Sequence, residues 1–261
     1  MKPDIKIIFV DIDWTILDHN KHDFDHESLD ALRNAQSKGI MVYLCTARPY
    51  ESILQIHLLD IFTPNGIICT NGGVIFYNNK LIKQNVIPSE MTAKTIQICN
   101  KYKLEVEYGT ARDRFFSIPS NKYVTRYFAT FNEKECPVKK YDGEEVTSLL
   151  LMCPKRFDKR LLKKLPKELD YFRFDNYGVD IRYERNDKGQ AISYVLNYHK
   201  LSFDNALSLG DDFQDIFMFK ATRYSAYIGE GKDEVRNAAS FESKTIANHG
   251  VKFALEHFEV I

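Results

Sequence analysis

Ile7-Ile-Phe-Val-Asp11-Ile-Asp13-Trp14-Thr15 is the stretch on which the reading of this chain turns. Its apolar half predicts a strand over Ile5–Val10 that is covered on both faces, because a strand with one wet face would alternate apolar and polar residues. The run stops at two carboxylates one residue apart. In an open parallel sheet, ligands bind in the crevice at the carboxyl ends of the strands, and Asp11 and Asp13 stand at such an end.

Working outward, Ser28–Ser37 predicts an amphipathic helix with Leu29, Leu32 and Ala35 inward, a cap near Asp25 and an end at Gly39. A second buried strand, Ile40–Cys45, runs into Thr46 with Arg48 just beyond. A helical pattern over Ser52–Leu59 and a third strand, Gly66–Cys69, follow. Continuous apolar strands joined by helices indicate a parallel sheet with helices on both faces. Val74–Tyr77 and Lys80–Ile82, separated by Asn78-Asn79, predict a hairpin. Between about Ser89 and Glu184 the pattern changes. Helical stretches (Met91–Tyr102, Lys155–Leu165) mix with alternating strands (Leu104–Tyr108, Phe115–Ile118, Ser148–Met152, Tyr171–Phe174, Val179–Arg182). Strand–helix alternation then returns: helix Gln190–Tyr198, strand Ala206–Leu209, helix Phe213–Lys220, strand Ser225–Ile228, helix Asp233–Ala239. The expectation is a Rossmann-like α/β core of residues 1–80 and 187–261, interrupted by an α+β insertion, 81–186.

Composition narrows the function classes. Thirty-six basic and 36 acidic side chains balance, which removes the main electrostatic reason to expect a nucleic-acid or anionic-membrane partner. Five cysteines (Cys45, Cys69, Cys99, Cys136, Cys153) include no C-x-x-C pair and lie largely in apolar runs. A disulfide framework or zinc site is therefore not expected, and a reducing compartment is. The apolar run near the start is too short for a signal-peptide core or a membrane span, so the expected location is cytoplasmic.

Three predicted strands end in polar groups on one rim: Asp11 and Asp13, Thr46, and Asp211 with Asp212 and Asp215 close behind. Two unit charges about 4 Å apart repel by about 4 kcal/mol at an effective dielectric of 20. A cation among them, or retained protons, must offset that. Oxygen ligands without a His or Cys cluster point to Mg²⁺, which pairs protein carboxylates with substrate phosphate.

Asp11-Ile-Asp13-Trp14-Thr15 resembles the first motif, D-x-D-G-T, of the haloacid dehalogenase superfamily. Thr46-Ala-Arg48 is similar to its T-G-R, Asp187-Lys188-Gly189 to its motif lysine at a helix start, and Gly210-Asp211-Asp212-Phe213-Gln214-Asp215 to its G-D-x-x-N-D. Thr70-Asn71-Gly72-Gly73 resembles the segment before the cap, and Thr245–Val251 the usual ending. The order and the long insertion are similar to the Cof-type subfamily, whose large α+β cap closes over the cleft. The resemblance implies a Mg²⁺-dependent phosphatase for a small phosphorylated metabolite: a sugar phosphate, nucleotide or phosphorylated cofactor. It implies that Asp11 is the nucleophile, forming an aspartyl-phosphate, and Asp13 the acid and base. Metal would be held by Asp11, the backbone carbonyl of Asp13 and Asp211. Thr46, Lys188 and Gln214 would face the phosphoryl group, with Asp215 orienting Lys188 or a metal-bound water.

Three residues depart from the pattern. Trp14 stands where Gly is usual and could crowd the cleft mouth or stack on a substrate. Ala47 replaces Gly, which tests whether that position needs a positive φ. Gln214 replaces Asn, adding a methylene. Plainer readings compete elsewhere: Asp212 as a capping residue, Arg48 as a salt-bridge partner, and Arg112, Arg114, Lys122 and Arg126 as basic neighbours of an aromatic core rather than a specificity surface. Rival functions are phosphoryl transfer to a sugar hydroxyl and a metabolite-binding or receiver-like role without turnover. The sequence does not fix the oligomeric state.

Overall fold

The structure, a computed structural model, describes residues 3–130, 134–173, 176–183 and 186–261. Phe174, the expected end of one insertion strand, lies outside the described residues, as does the side chain of Tyr127. By contact the chain divides into two units, one of residues 1–47, 62–82 and 187–261, the other of 48–61 and 83–186.

The first unit is built on an eight-stranded sheet. Its strands are β1 (Ile7–Val10), β2 (Met41–Cys45), β3 (Gly66–Cys69), β4 (Val74–Tyr77), β5 (Lys80–Gln84), β6 (Ala206–Gly210), β7 (Tyr224–Tyr227) and β8 (Phe241–Glu242), in the order β8-β7-β6-β1-β2-β3-β4-β5. β1 pairs in parallel with both β6 and β2, with Val10 beside Leu209 and Leu44. The β2–β3, β6–β7 and β7–β8 pairs are parallel too, and β3–β4 is antiparallel. Every residue of β1 is fully buried, which is why its sequence does not alternate. Ile7 and Phe9 pack with Ala191, Ile192 and Val195 of the helix Lys188–Tyr198. The helix His26–Ser37 packs against Gly250–His257. It is capped by Asp25, whose side chain accepts from the Ser28 amide. The strand order runs one way from β1 to β3 and the other way from β6 to β8. β1 and β6 thus flank the reversal at which such sheets open a crevice.

The second unit holds a five-stranded antiparallel sheet in the order Leu169–Arg173, Gly178–Tyr183, Ser148–Met152, Val106–Gly109, Arg114–Phe116. One face buries Val106, Tyr108, Leu149, Leu151, Val179 and Ile181 with Ile96 and Cys99 of the helix Ser89–Lys101. The other carries a smaller cluster in which Phe116 and Met152 meet Val124 and Phe128 of the helix Lys122–Thr130. Arg114 is buried there beside Glu51 and Glu107 and stacks on Phe128. It is a buried ion pair rather than a snorkelling surface side chain.

Several elements differ from expectation for local reasons. The pattern over Ser52–Leu59 forms two short helices, Tyr50–Gln55 and Leu58–Ile61, because His57 between them is left-handed at φ 59°. The Lys155–Leu165 pattern is a chain of 3₁₀ and α turns. Phe213–Lys220 begins as a 3₁₀ turn, Phe213–Asp215, before the α-helix Ile216–Lys220.

Candidate active site

Asp11 follows β1 directly, and its amide donates to Leu209 O of β6 at 2.9 Å. The chain then turns tightly: Ile12 O accepts from the amides of Thr15, Ile16 and Leu17, and Trp14 N–H donates to Leu17 O. That turn puts Trp14 at φ 61°, the left-handed region. Glycine is at home there, and the family's usual Gly at this position has its explanation. Ala47, by contrast, is absent from the left-handed residues, so alanine fits its backbone without strain. Beyond the turn, Leu17–Asp18 pairs with Asp23–Phe24 as a two-stranded ribbon.

Lys188 enters from the first turn of its helix, whose N-cap Asp187 accepts from the Gln190 amide. Its Nζ donates to Asp11 Oδ1 at 2.6 Å and to Asp215 Oδ1 at 2.7 Å. Close approach of that helix depends on Gly189, where a Cβ would lie 2.5 Å from Phe217 O. The second oxygen of Asp215 accepts from the amides of Asp211 and Asp212, at 2.9 and 3.0 Å. Thr15 Oγ1 donates to Asp211 Oδ1 at 3.3 Å. Thr46 is fully buried after β2; its amide donates to Ile68 O and its carbonyl accepts from Asn71 N–H. Asp11, Asp13, Trp14, Thr46, Lys188, Asp211, Gln214, Asp215 and Lys232 line one cleft of about 240 Å³, with Ala47 and Asp212. All seven residues expected from sequence to form the site are in that cleft.

Two lysines there face five carboxylates. Oxygen atoms of Asp11, Asp211 and Asp215 lie within 4.8 Å of one another. Burial, with Asp215, Asp211 and Asp13 adding to it, pushes Asp11 well above the usual carboxylate range against the pull of Lys188. Burial and then Asp215 push Asp211 up to about 7, although Lys232 opposes them. Burial alone would lower Lys188, but Asp11 and Asp215 outweigh it and hold the ammonium charged. An all-oxygen donor set with excess negative charge suits a hard divalent cation.

Lys232 was not singled out by the sequence. It follows β7, and its Nζ donates to Asp211 O and Oδ2 at 3.1 Å and to Asp212 Oδ1 at 2.9 Å. Its signal is positional: it lies in the loop beyond the carboxyl end of a fourth parallel strand. Arg48 donates to the Ser52 hydroxyl at 2.8 Å.

The model of the haloacid dehalogenase-like hydrolases matches residues 8–255. The chain belongs to that family. Within this hydrolase family it is similar to the 5-amino-6-(5-phospho-D-ribitylamino)uracil phosphatase YcsE of Bacillus subtilis, 22% identical over 98% of this chain and 96% of that one. Among solved structures, a protein of Geobacillus kaustophilus superposes with a TM-score of 0.90 at 20% identity, covering 98% of this chain and all of the other. The subclass IIB sugar phosphatase BT4131 superposes with a TM-score of 0.82 at 20% identity over the same shares. This hydrolase is accordingly a phosphatase of the Cof-type subclass, with a mostly parallel core sheet and a separate antiparallel cap sheet. It acts on small phosphorylated molecules. No helix among the described residues is long and apolar enough to cross a membrane.

Proposed function

We propose that this phosphatase hydrolyses phosphate monoesters of small metabolites through an aspartyl-phosphate on Asp11. The observation that carries the reading is the placement of Asp11: a buried carboxylate at the sheet reversal, 2.6 Å from the Lys188 ammonium and among further carboxylates. A carboxylate attacks an anionic phosphoryl group poorly unless positive charge offsets the charge that develops on its oxygens.

Asp11 forms the bond to phosphorus as the bond to the leaving oxygen breaks. Asp13 gives that oxygen its proton, then takes one from the water that hydrolyses the aspartyl-phosphate, returning Asp11 as carboxylate. Lys188 and Thr46 bind the transferring oxygens, and Gln214 lines the same cleft. Asp215 has both oxygens engaged, one by Lys188 and one by two amides, so it orients the lysine rather than serving as a direct metal ligand. Mg²⁺, held by Asp11, the Asp13 carbonyl and Asp211, would supply charge neutralisation of the phosphoryl group. Sugar phosphates, nucleotides and phosphorylated cofactors all belong to the substrate class. A relative named for a ribitylaminouracil phosphate and a neighbour named a sugar phosphatase support that breadth.

The test is phosphate release from a panel of such esters, with and without Mg²⁺, for the native protein and Asp11→Asn. Metal-dependent release that falls by about 10³-fold or more in Asp11→Asn, the scale of losing a nucleophile, is expected. Release that survives Asp11→Asn would sink the assignment.

A further inference from the structure

We infer that His19 is a positioning residue for Asp13, a role that rests on the acid–base reading of Asp13 above. His19 Nε2 lies 2.6 Å from Asp13 Oδ1. Its side chain is only 11% exposed, against 28% for Asp13, so the contact is no chance meeting of two solvated side chains. His19 is fixed from two directions. It directly follows Asp18, the ribbon residue that pairs with Asp23, and Asp18 Oδ1 accepts from the Asn20 amide at 2.9 Å. Its ring packs on the indole of Trp14, 5.1 Å between centroids and tilted by 53°.

The three residues form one unit. The left-handed backbone of Trp14 is an unusual setting for a bulky side chain, and such outliers mark places where geometry serves function. Here the outlier keeps an indole against the imidazole that holds the carboxyl. An acid that must meet a leaving oxygen at hydrogen-bond distance works only if its orientation is set in advance. A part-buried aspartate on a tight turn still has several rotamers open to it; the imidazole selects one. His19 itself does not line the cleft, so it acts through Asp13 rather than on substrate.

This role predicts a dependence on the leaving group that a purely structural one would not. An aryl oxygen such as that of 4-nitrophenyl phosphate leaves without a proton, whereas an alkyl oxygen needs one. His19→Phe keeps a ring against Trp14 and removes the nitrogen; His19→Gln keeps an amide that can reach Asp13. On kcat/KM, which reports the first chemical step, His19→Phe is expected to lose about tenfold or more with an alkyl phosphate. With 4-nitrophenyl phosphate it should lose less than about threefold, and His19→Gln should recover most of the alkyl activity. Equal losses on both esters, or none, would overturn the inference. A readout without turnover separates it from the parent reading: the imidazole ¹⁵N signals of His19, assigned by their absence in His19→Gln, should move in Asp13→Asn. Signals that stay put show that the pair does not exist in solution, whatever the enzyme hydrolyses. Failure of the native protein to release phosphate would remove the phosphatase mechanism instead, leaving the pair to the spectrum.

Discussion

Asp211 gains and loses its proton in a setting unlike that of an unfolded chain. Burial and then Asp215 raise it to about 7, against the pull of Lys232, from an ordinary value of 3.8. A raised carboxylate favours the folded state fully below the ordinary value, and that contribution is lost as pH rises through the folded one. Its share of stability should therefore decline between pH 4 and 7, by up to about 1.4 kcal/mol per pH unit. A divalent cation binds the ionised form, so stabilisation by Mg²⁺ should grow over the same window. Urea denaturation across that range, with the slope of the native protein compared with that of Asp211→Asn, measures it; identical metal-free slopes would contradict the account. At this scale most residues of the candidate site were legible in the sequence. Asp11, Asp13, Thr46, Asp211 and Asp215 follow the ends of apolar runs that hydropathy locates, whereas Lys188 and Gln214 are legible only through the family resemblance. Lys232 and His19 were not readable, because their partners are set by loop geometry that no period in the sequence encodes.

The loop between β6 and the helix Ile216–Lys220 shows how an element transmits a backbone requirement to the site. A Cβ on Gly210 would lie 2.5 Å from Cγ and Oδ2 of Asp215. Gly210→Ala should force Asp215 away from the two amides and from Lys188. The expected cost is about 1–3 kcal/mol, the scale of overpacking a filled site, together with a fall in kcat. A denaturant midpoint and a steady-state assay check both, and an unchanged midpoint would show that Asp215 has room to move. Among the elements, buried strands such as Ile7–Val10 and Gly66–Cys69 were plain from their apolar runs. The ribbon Leu17–Asp18 and Asp23–Phe24 was not, since two residues carry no alternation to detect. The helix Lys122–Thr130 was hidden because its apolar face, Val124 and Phe128, is interleaved with basic and aromatic side chains.

Across the molecule, sequence has drifted far while backbone has not: identity to the Geobacillus kaustophilus structure is 20% at a TM-score of 0.90. A fold of this kind tolerates extensive exchange of core side chains as long as their burial and total volume are kept. All five cysteines fall within that burial and none is in a disulfide. Burial raises the thiols of Cys45, Cys99 and Cys153, with Cys99 up to about 12, which suppresses the reactive thiolate. The native protein should therefore resist an aromatic disulfide reagent and yield five thiols only after unfolding; fast labelling of any one in native buffer would locate an opening of the fold. Trp14 has a different consequence at this scale. It is the chain's one tryptophan, 41% exposed, and it stands on the rim of the cleft. Light absorbed selectively by indole is thus re-emitted from a single place, so the protein's intrinsic fluorescence is an optical probe installed at the mouth of the candidate cleft.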